Sequence, residues 1–123
     1  MAKRKLYSEP LKKVSDSATL FYLKGKNLVQ PGWVRYVTFA SCYDDTNTGT
    51  SIEFGKWAAD RFVSMEGTST LTKSVPVFFT RSTHHFLTGE IPTFRIVGAD
   101  ASDVIVGYLE GYETELEEIV TTG

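Results

Sequence analysis

The chain is poor in the residues on which most site chemistry draws. Its 123 residues include one cysteine, two histidines and two methionines. The lone Cys42 excludes an intrachain disulfide and a cysteine-rich zinc site, and its expected place is that of a small buried hydrophobe on a strand. No apolar run approaches the roughly 18 residues of a membrane-crossing helix, and the first residues lack the apolar core of a signal peptide. The formal net charge is −2, so no global basic field draws the chain to nucleic acid or to a membrane, and neither is an expected partner. Repeats and low-complexity segments are also missing. The expectation is a chain made in a cytoplasm and left in solution until a partner captures it.

Catalytic and metal-binding patterns are missing as well. His84-His85 with the later Glu90 is similar to the metal motif of cupins, but neighbouring strand residues point to opposite faces and no third histidine completes the set. The loop Asp44-Asp45-Thr46-Asn47-Thr48-Gly49 offers oxygens that suit Ca²⁺. However, no glutamate closes it at the twelfth position, and the same residue types are what a tight hairpin tip needs for its own backbone. Serine, histidine and carboxylates occur without a nucleophile elbow. No cofactor is expected, and the chain reads as a non-enzyme.

What remains is β-structure. A hydrophobic content of 41% with 13% aromatics supplies a core for one domain of this length, which buries roughly two-thirds of its unfolded surface. Pro31-Gly32 fits the corners of a type II turn and launches an aromatic, β-branched run over residues 33–43. Alternation gives that run two faces, Trp33/Arg35/Val37/Phe39/Ser41 and Val34/Tyr36/Thr38/Ala40/Cys42. Both are largely apolar in the middle, as in a central strand. Further strands are expected at 19–23, 51–57, 62–65, 75–80, 84–87, 91–97 and 103–112, with a polar loop over 66–73. Short strands with turn signals between them predict an all-β, antiparallel β-sandwich, jelly-roll-like, over residues 17–113. Residues 1–16 read as an extended N-terminal arm and residues 114–123 as an acidic C-terminal tail.

The charges and aromatics supply the candidate contact residues. Lys3, Arg4, Lys5, Lys12 and Lys13 crowd the start, and Glu110, Glu113, Glu115, Glu117 and Glu118 crowd the finish. Opposite ends of this kind can pair head to tail between copies, and such heterologous contacts build rings or lattices. Tyr43, Tyr108 and Tyr112 lie near strand ends, where a half-buried phenol meets a sugar or a protein. With Asp44, Asp45 and Asn47 of the hairpin tip, they form a second candidate surface. The remaining aromatics, Trp33, Tyr36, Phe39, Phe54, Trp57, Phe78, Phe79, Phe86 and Phe94, are expected mostly in the core.

Five elements stand in a fixed order: Pro31-Gly32-Trp33, Asp44-Asp45-Thr46, Gly89-Glu90, Gly98-Ala99-Asp100 through Asp103, and Gly111-Tyr112-Glu113. In this order the chain resembles small β-sandwich proteins of tailed-bacteriophage virions over about residues 28–113. The segment 58–73 departs from that pattern. The resemblance implies a structural role in a virion, as a capsid decoration or head–tail neck component, with no catalytic motif to carry over. Its expected partners are capsid or neck subunits and further copies of itself, with a trimer favoured. Deleting residues 1–13 is then expected to leave the fold intact and abolish attachment. The alternative is a carbohydrate- or receptor-binding module of a host-adsorption device.

Overall fold

The run after Pro31-Gly32 forms the spine of the molecule. In the computed structural model, which describes residues 3–16, 20–46, 51–68 and 73–116, the Trp33 N–H donates to the Gln30 carbonyl at 3.1 Å and Gly32 holds φ at +84°. This is the expected type II turn, since glycine accepts the positive φ of its second corner. The strands in chain order are β1 (Arg4–Val14), β2 (Leu20–Lys24), β3 (Trp33–Asp44), β4 (Ser51–Ala58), β5 (Arg61–Thr68), β6 (Val77–Phe79), β7 (His84–Phe86), β8 (Ile91–Val97) and β9 (Val104–Glu115).

They form two antiparallel sheets. The first has the order β1-β9-β3-β6, with β7 also on β3; the second has the order β2-β8-β4-β5. β6 pairs with Ala40–Cys42 and β7 with Arg35–Val37 in the same sense, so the two are halves of one interrupted strand. Counted so, the described residues form eight strands, four in each sheet. Every connection crosses between layers except the β4–β5 hairpin and the interruption itself, which is the double Greek key of a jelly roll.

Arg4–Val14 form a strand of the first sheet, not part of an extended arm. Arg4 to Val14 pair position by position with Thr114 to Val104 of β9. The strand is driven by Tyr7 and Leu11, which alternate inward and are buried. Its lysines lie outward or at its ends, so a basic composition coincides with an apolar stripe of period two. The sandwich therefore takes in residues 4–115. Removing residues 1–13 would strip a core-covering strand, contrary to the expectation that the fold would survive. β5 likewise runs on to Thr68, through part of the expected polar loop.

A bulge changes which side of β3 faces in. The register with β9 slips between Val37 and Phe39, leaving Thr38 as the extra residue. Alternation inverts there, so Arg35 and Val37 are buried before it and Ala40, Cys42 and Asp44 after it. Gly111 opposite has no side chain because a Cβ would run into the Tyr36 carbonyl oxygen. The core between the sheets centres on Phe54, whose ring lies 5.2 Å from Phe94 and 6.0 Å from both Phe79 and Phe86.

Candidate interaction surface

The outer face of the first sheet is the candidate site. On β9, Ile105, Leu109 and Glu113 point inward and are buried, which leaves Val106, Tyr108, Glu110 and Tyr112 outward. On β3 the bulge keeps both Tyr36 and Phe39 outward, followed by Ser41 and Tyr43. Cross-strand pairing sets Tyr36 against Tyr112, Ser41 against Tyr108 and Phe78, and Tyr43 against Val106. The Tyr36 and Tyr112 rings stack at 5.0 Å, with the Arg4 guanidinium 4.0 Å over Tyr112. Phe39 packs between Phe78 at 5.6 Å and Tyr108 at 6.1 Å. Around these rings, Leu6 is 89% exposed, Phe78 59% and Val14 55%.

Tyr43, Tyr108 and Tyr112 are thus brought to one face, as the stripe reading requires. Tyr36, Phe39 and Phe78 join them, although strand patterning assigns these three to the core. The signal that separates them is the bulge, and no residue type at Thr38 announces it.

The basic residues are not brought together. Arg4 belongs to the aromatic face. Lys5 lies 4.3 Å over the Trp33 ring and 3.4 Å from Glu113. Lys3 is exposed, with its carbonyl accepting the Glu115 N–H. Lys12 and Lys13 stand at the far end of β1, beside Lys24 and Lys26.

The described residues of the hairpin tip bond one another and the neighbouring segments at Ser74 and Val104. Asp44 Oδ1 accepts the Thr46 N–H at 2.8 Å, Asp45 Oδ1 accepts the Ser74 hydroxyl at 2.6 Å, and Thr46 Oγ1 accepts the Val104 N–H at 3.0 Å. Asn47 lies outside the described residues. Among those described, no group of three or more histidine, cysteine or acidic side chains could hold a metal ion.

His84 and His85 point to opposite faces, as adjacent strand residues must. His85 is exposed beside Tyr36. His84 is turned inward, with Nε2 3.4 Å from Glu66 Oε1 across the gap between the sheets, and neither atom has a hydrogen-bond partner. Cys42 is fully buried, and burial raises its thiol pKa far above the ordinary range.

A second polar cluster lies inside. Arg35 donates to Glu113 through Nε at 3.0 Å and to the Asn27 carbonyl at 2.5 Å, and its guanidinium lies 3.9 Å over the Tyr7 ring. Glu9 accepts the Tyr7 hydroxyl at 2.6 Å and the N–H groups of Lys26 and Asn27 at 2.5 and 3.1 Å. Burial, and then the bond to Glu9, push the Tyr7 phenol well above its usual range. The members of this cluster spend polar atoms on one another, on Lys5 or on the backbone of residues 26–27, so the cluster fixes the β2–β3 connection. Charged residues at inward positions of a strand are its only mark in the sequence.

No protein-family model matches the chain, and no curated protein matches it in sequence.

Proposed function

We propose that the protein is a structural subunit of a viral particle, of the capsid-decoration or neck type, that docks on other virion subunits through the outer face of its first sheet. The observation that carries this reading is the aromatic platform of Tyr36, Phe39, Tyr43, Phe78, Tyr108 and Tyr112, half-buried side by side apart from the exposed Phe78. Apolar surface gathered on one face marks a place of contact, and aromatic residues with an arginine dominate the buried centres of protein interfaces. The aliphatic margin of Leu6 and Val14 favours a protein partner over a sugar, which would need hydroxyl-matching polar groups there. The fold supports the same role, because a jelly roll with a rigid double-layered core presents a flat face without needing a cleft. Symmetric copies, a trimer in the simplest case, would multiply weak contacts into firm attachment.

The test is co-sedimentation with particles purified from cells that make the protein. The unaltered chain should pellet with them, and a Tyr36→Ser, Phe78→Ser, Tyr108→Ser variant of unchanged circular dichroism should stay in the supernatant. Equal pelleting of both would remove the aromatic face from the account. Failure of the unaltered chain to pellet would remove the virion role, and binding on a glycan array lost in the same variant would install the carbohydrate reading in its place.

A further inference from the structure

A bulge in β5 aims a carboxylate into the space between the sheets. Phe62 and Ser64 stand opposite the outward Trp57 and Gly55, and unbroken alternation would send Glu66 outward as well. The register with β4 slips between Phe54 and Gly55, which leaves Met65 as the extra residue and sets Glu66 opposite the inward Phe54. Bulges re-aim side chains in this way beside functional sites. Glu66 then meets His84, which β7 turns inward from the other sheet. The two side chains are 7% and 12% exposed, and the imidazole lies 5.7 Å from the Phe54 ring.

Glu66 Oε1 and His84 Nε2 are both sealed from solvent and have no hydrogen-bond partner among the described residues. Two such atoms side by side inside a folded chain point to a bound group. Their separation of 3.4 Å selects it. They are farther apart than the roughly 2.7–3.2 Å of an N–H···O bond. They are too close for a bridging water, whose two bonds of about 2.8 Å would hold its partners about 4.5 Å apart. A tetrahedral zinc ion holds nitrogen and oxygen ligands at about 2.0–2.2 Å, which places neighbouring ligand atoms about 3.3–3.5 Å from each other. Imidazole beside carboxylate also suits ions of the zinc type, whereas calcium and magnesium take oxygen ligands.

We propose that Glu66 and His84 bind a divalent transition ion of the zinc type, which clips β5 of the second sheet to β7 of the first. Water completes the coordination, reaching the ion from a groove of about 390 Å³ that Glu66 lines with Gly67, Val77, Phe79 and Arg81. With two protein ligands the site is weaker and more exchangeable than a three- or four-ligand zinc centre. Its effect is on the interrupted outer strand, whose halves β6 and β7 hold three residues each. The clip uses neither the aromatic face nor a virion partner, so its failure leaves that reading untouched.

The experiment titrates the metal-free full chain with zinc chloride by isothermal calorimetry and follows the thermal midpoint with zinc and with chelator. One ion per chain should bind, and the midpoint should rise with zinc concentration. Cobalt(II) in its place should give the visible absorption of a tetrahedral ion. Glu66→Gln, which keeps the shape of the side chain, and His84→Gln should each weaken binding by roughly tenfold or more. His85→Ala, on the outer face, should bind as the unaltered chain does. A chain that takes up no zinc, with a midpoint indifferent to zinc and chelator, would overturn the proposal and leave the two residues as a metal-free pair. So would equal binding by the folded Glu66→Gln chain, loss of binding in His85→Ala, or a preference for calcium over zinc.

Discussion

Arg35 and Glu113 face each other at 3.0 Å with both side chains nearly sealed from solvent, and the pair shows how single residues hold this sandwich. Taking two charges out of water is costly, and here the cost is offset only because Lys5, the Asn27 carbonyl and the Tyr7 ring complete the environment. Removing one partner leaves the other buried and uncompensated. Arg35→Ala should lower the unfolding free energy by about 3–5 kcal/mol, read from urea denaturation; a loss under about 1 kcal/mol would mean that the pair is solvated in solution. Glu90 makes a smaller, pH-dependent contribution. Burial by itself would raise its carboxyl, but the Leu87 N–H at 2.8 Å and Lys56 at 2.9 Å outweigh it and hold the group below its ordinary value. A carboxyl lowered on folding stabilises the native state above its unfolded pKa, and that contribution is lost as pH falls through the folded one. Glu90→Gln should therefore be less stable than the unaltered chain near neutral pH, with the difference shrinking below about pH 4. Urea midpoints at the two pH values measure it, and a gap that widens in acid would reverse the sign of the argument.

At the scale of elements, β1 is where sequence and structure part most clearly. Its lysines and Pro10 read as a solvated tail, yet Pro10 sits on an edge strand where a missing N–H costs nothing, and lysines on an edge discourage pairing with stray strands. Deleting residues 1–13 should leave β9 with an unpaired edge, open the core where Tyr7 and Leu11 pack, and abolish cooperative unfolding, visible in near-ultraviolet circular dichroism and protease resistance; a truncated chain as resistant as the full one would restore the arm. The β4–β5 hairpin carries an equally weak sequence signal. It turns at Ala59 and Asp60, with φ of 51° and 60°, a pair of left-handed residues for which asparagine and glycine are the usual signal. Without that signal the sequence predicts a shorter strand, 62–65, and a loop where the polar end of β5 lies. The same mismatch predicts that Ala59→Asn with Asp60→Gly raises stability by about 1–2 kcal/mol, as a shift in thermal midpoint. Where turn chemistry was explicit, at Pro31-Gly32 and at Gly98 after β8, strand bounds followed from the residues. The sandwich and its central strand were legible on that basis. The membership of the aromatic face was not, because a one-residue bulge reverses inside and outside without changing composition.

For the whole molecule, two surfaces of different character lie on one rigid body. The outer face of the first sheet is aromatic and broad, whereas a groove between β1 and β2 is narrow and basic. The second sheet's outer face is already occupied by its own contacts: Tyr22 packs on Trp57 and Phe62, Lys24 lies over Trp57, and Arg95 pairs with Glu53. The outer aromatic groups of both sheets are half-buried against their neighbours, but the first sheet carries twice as many, with Phe78 59% and Leu6 89% exposed among them. That asymmetry is the basis for assigning attachment to one face only. Hydroxyl-radical footprinting of the free protein and of the protein in assembled particles tests it most directly. Leu6, Phe78 and Tyr108 should be oxidised in the free chain and protected in the particle, while Leu20 and Val63 on the second sheet keep their reactivity. Equal oxidation of the first-sheet residues in both states would contradict the assignment.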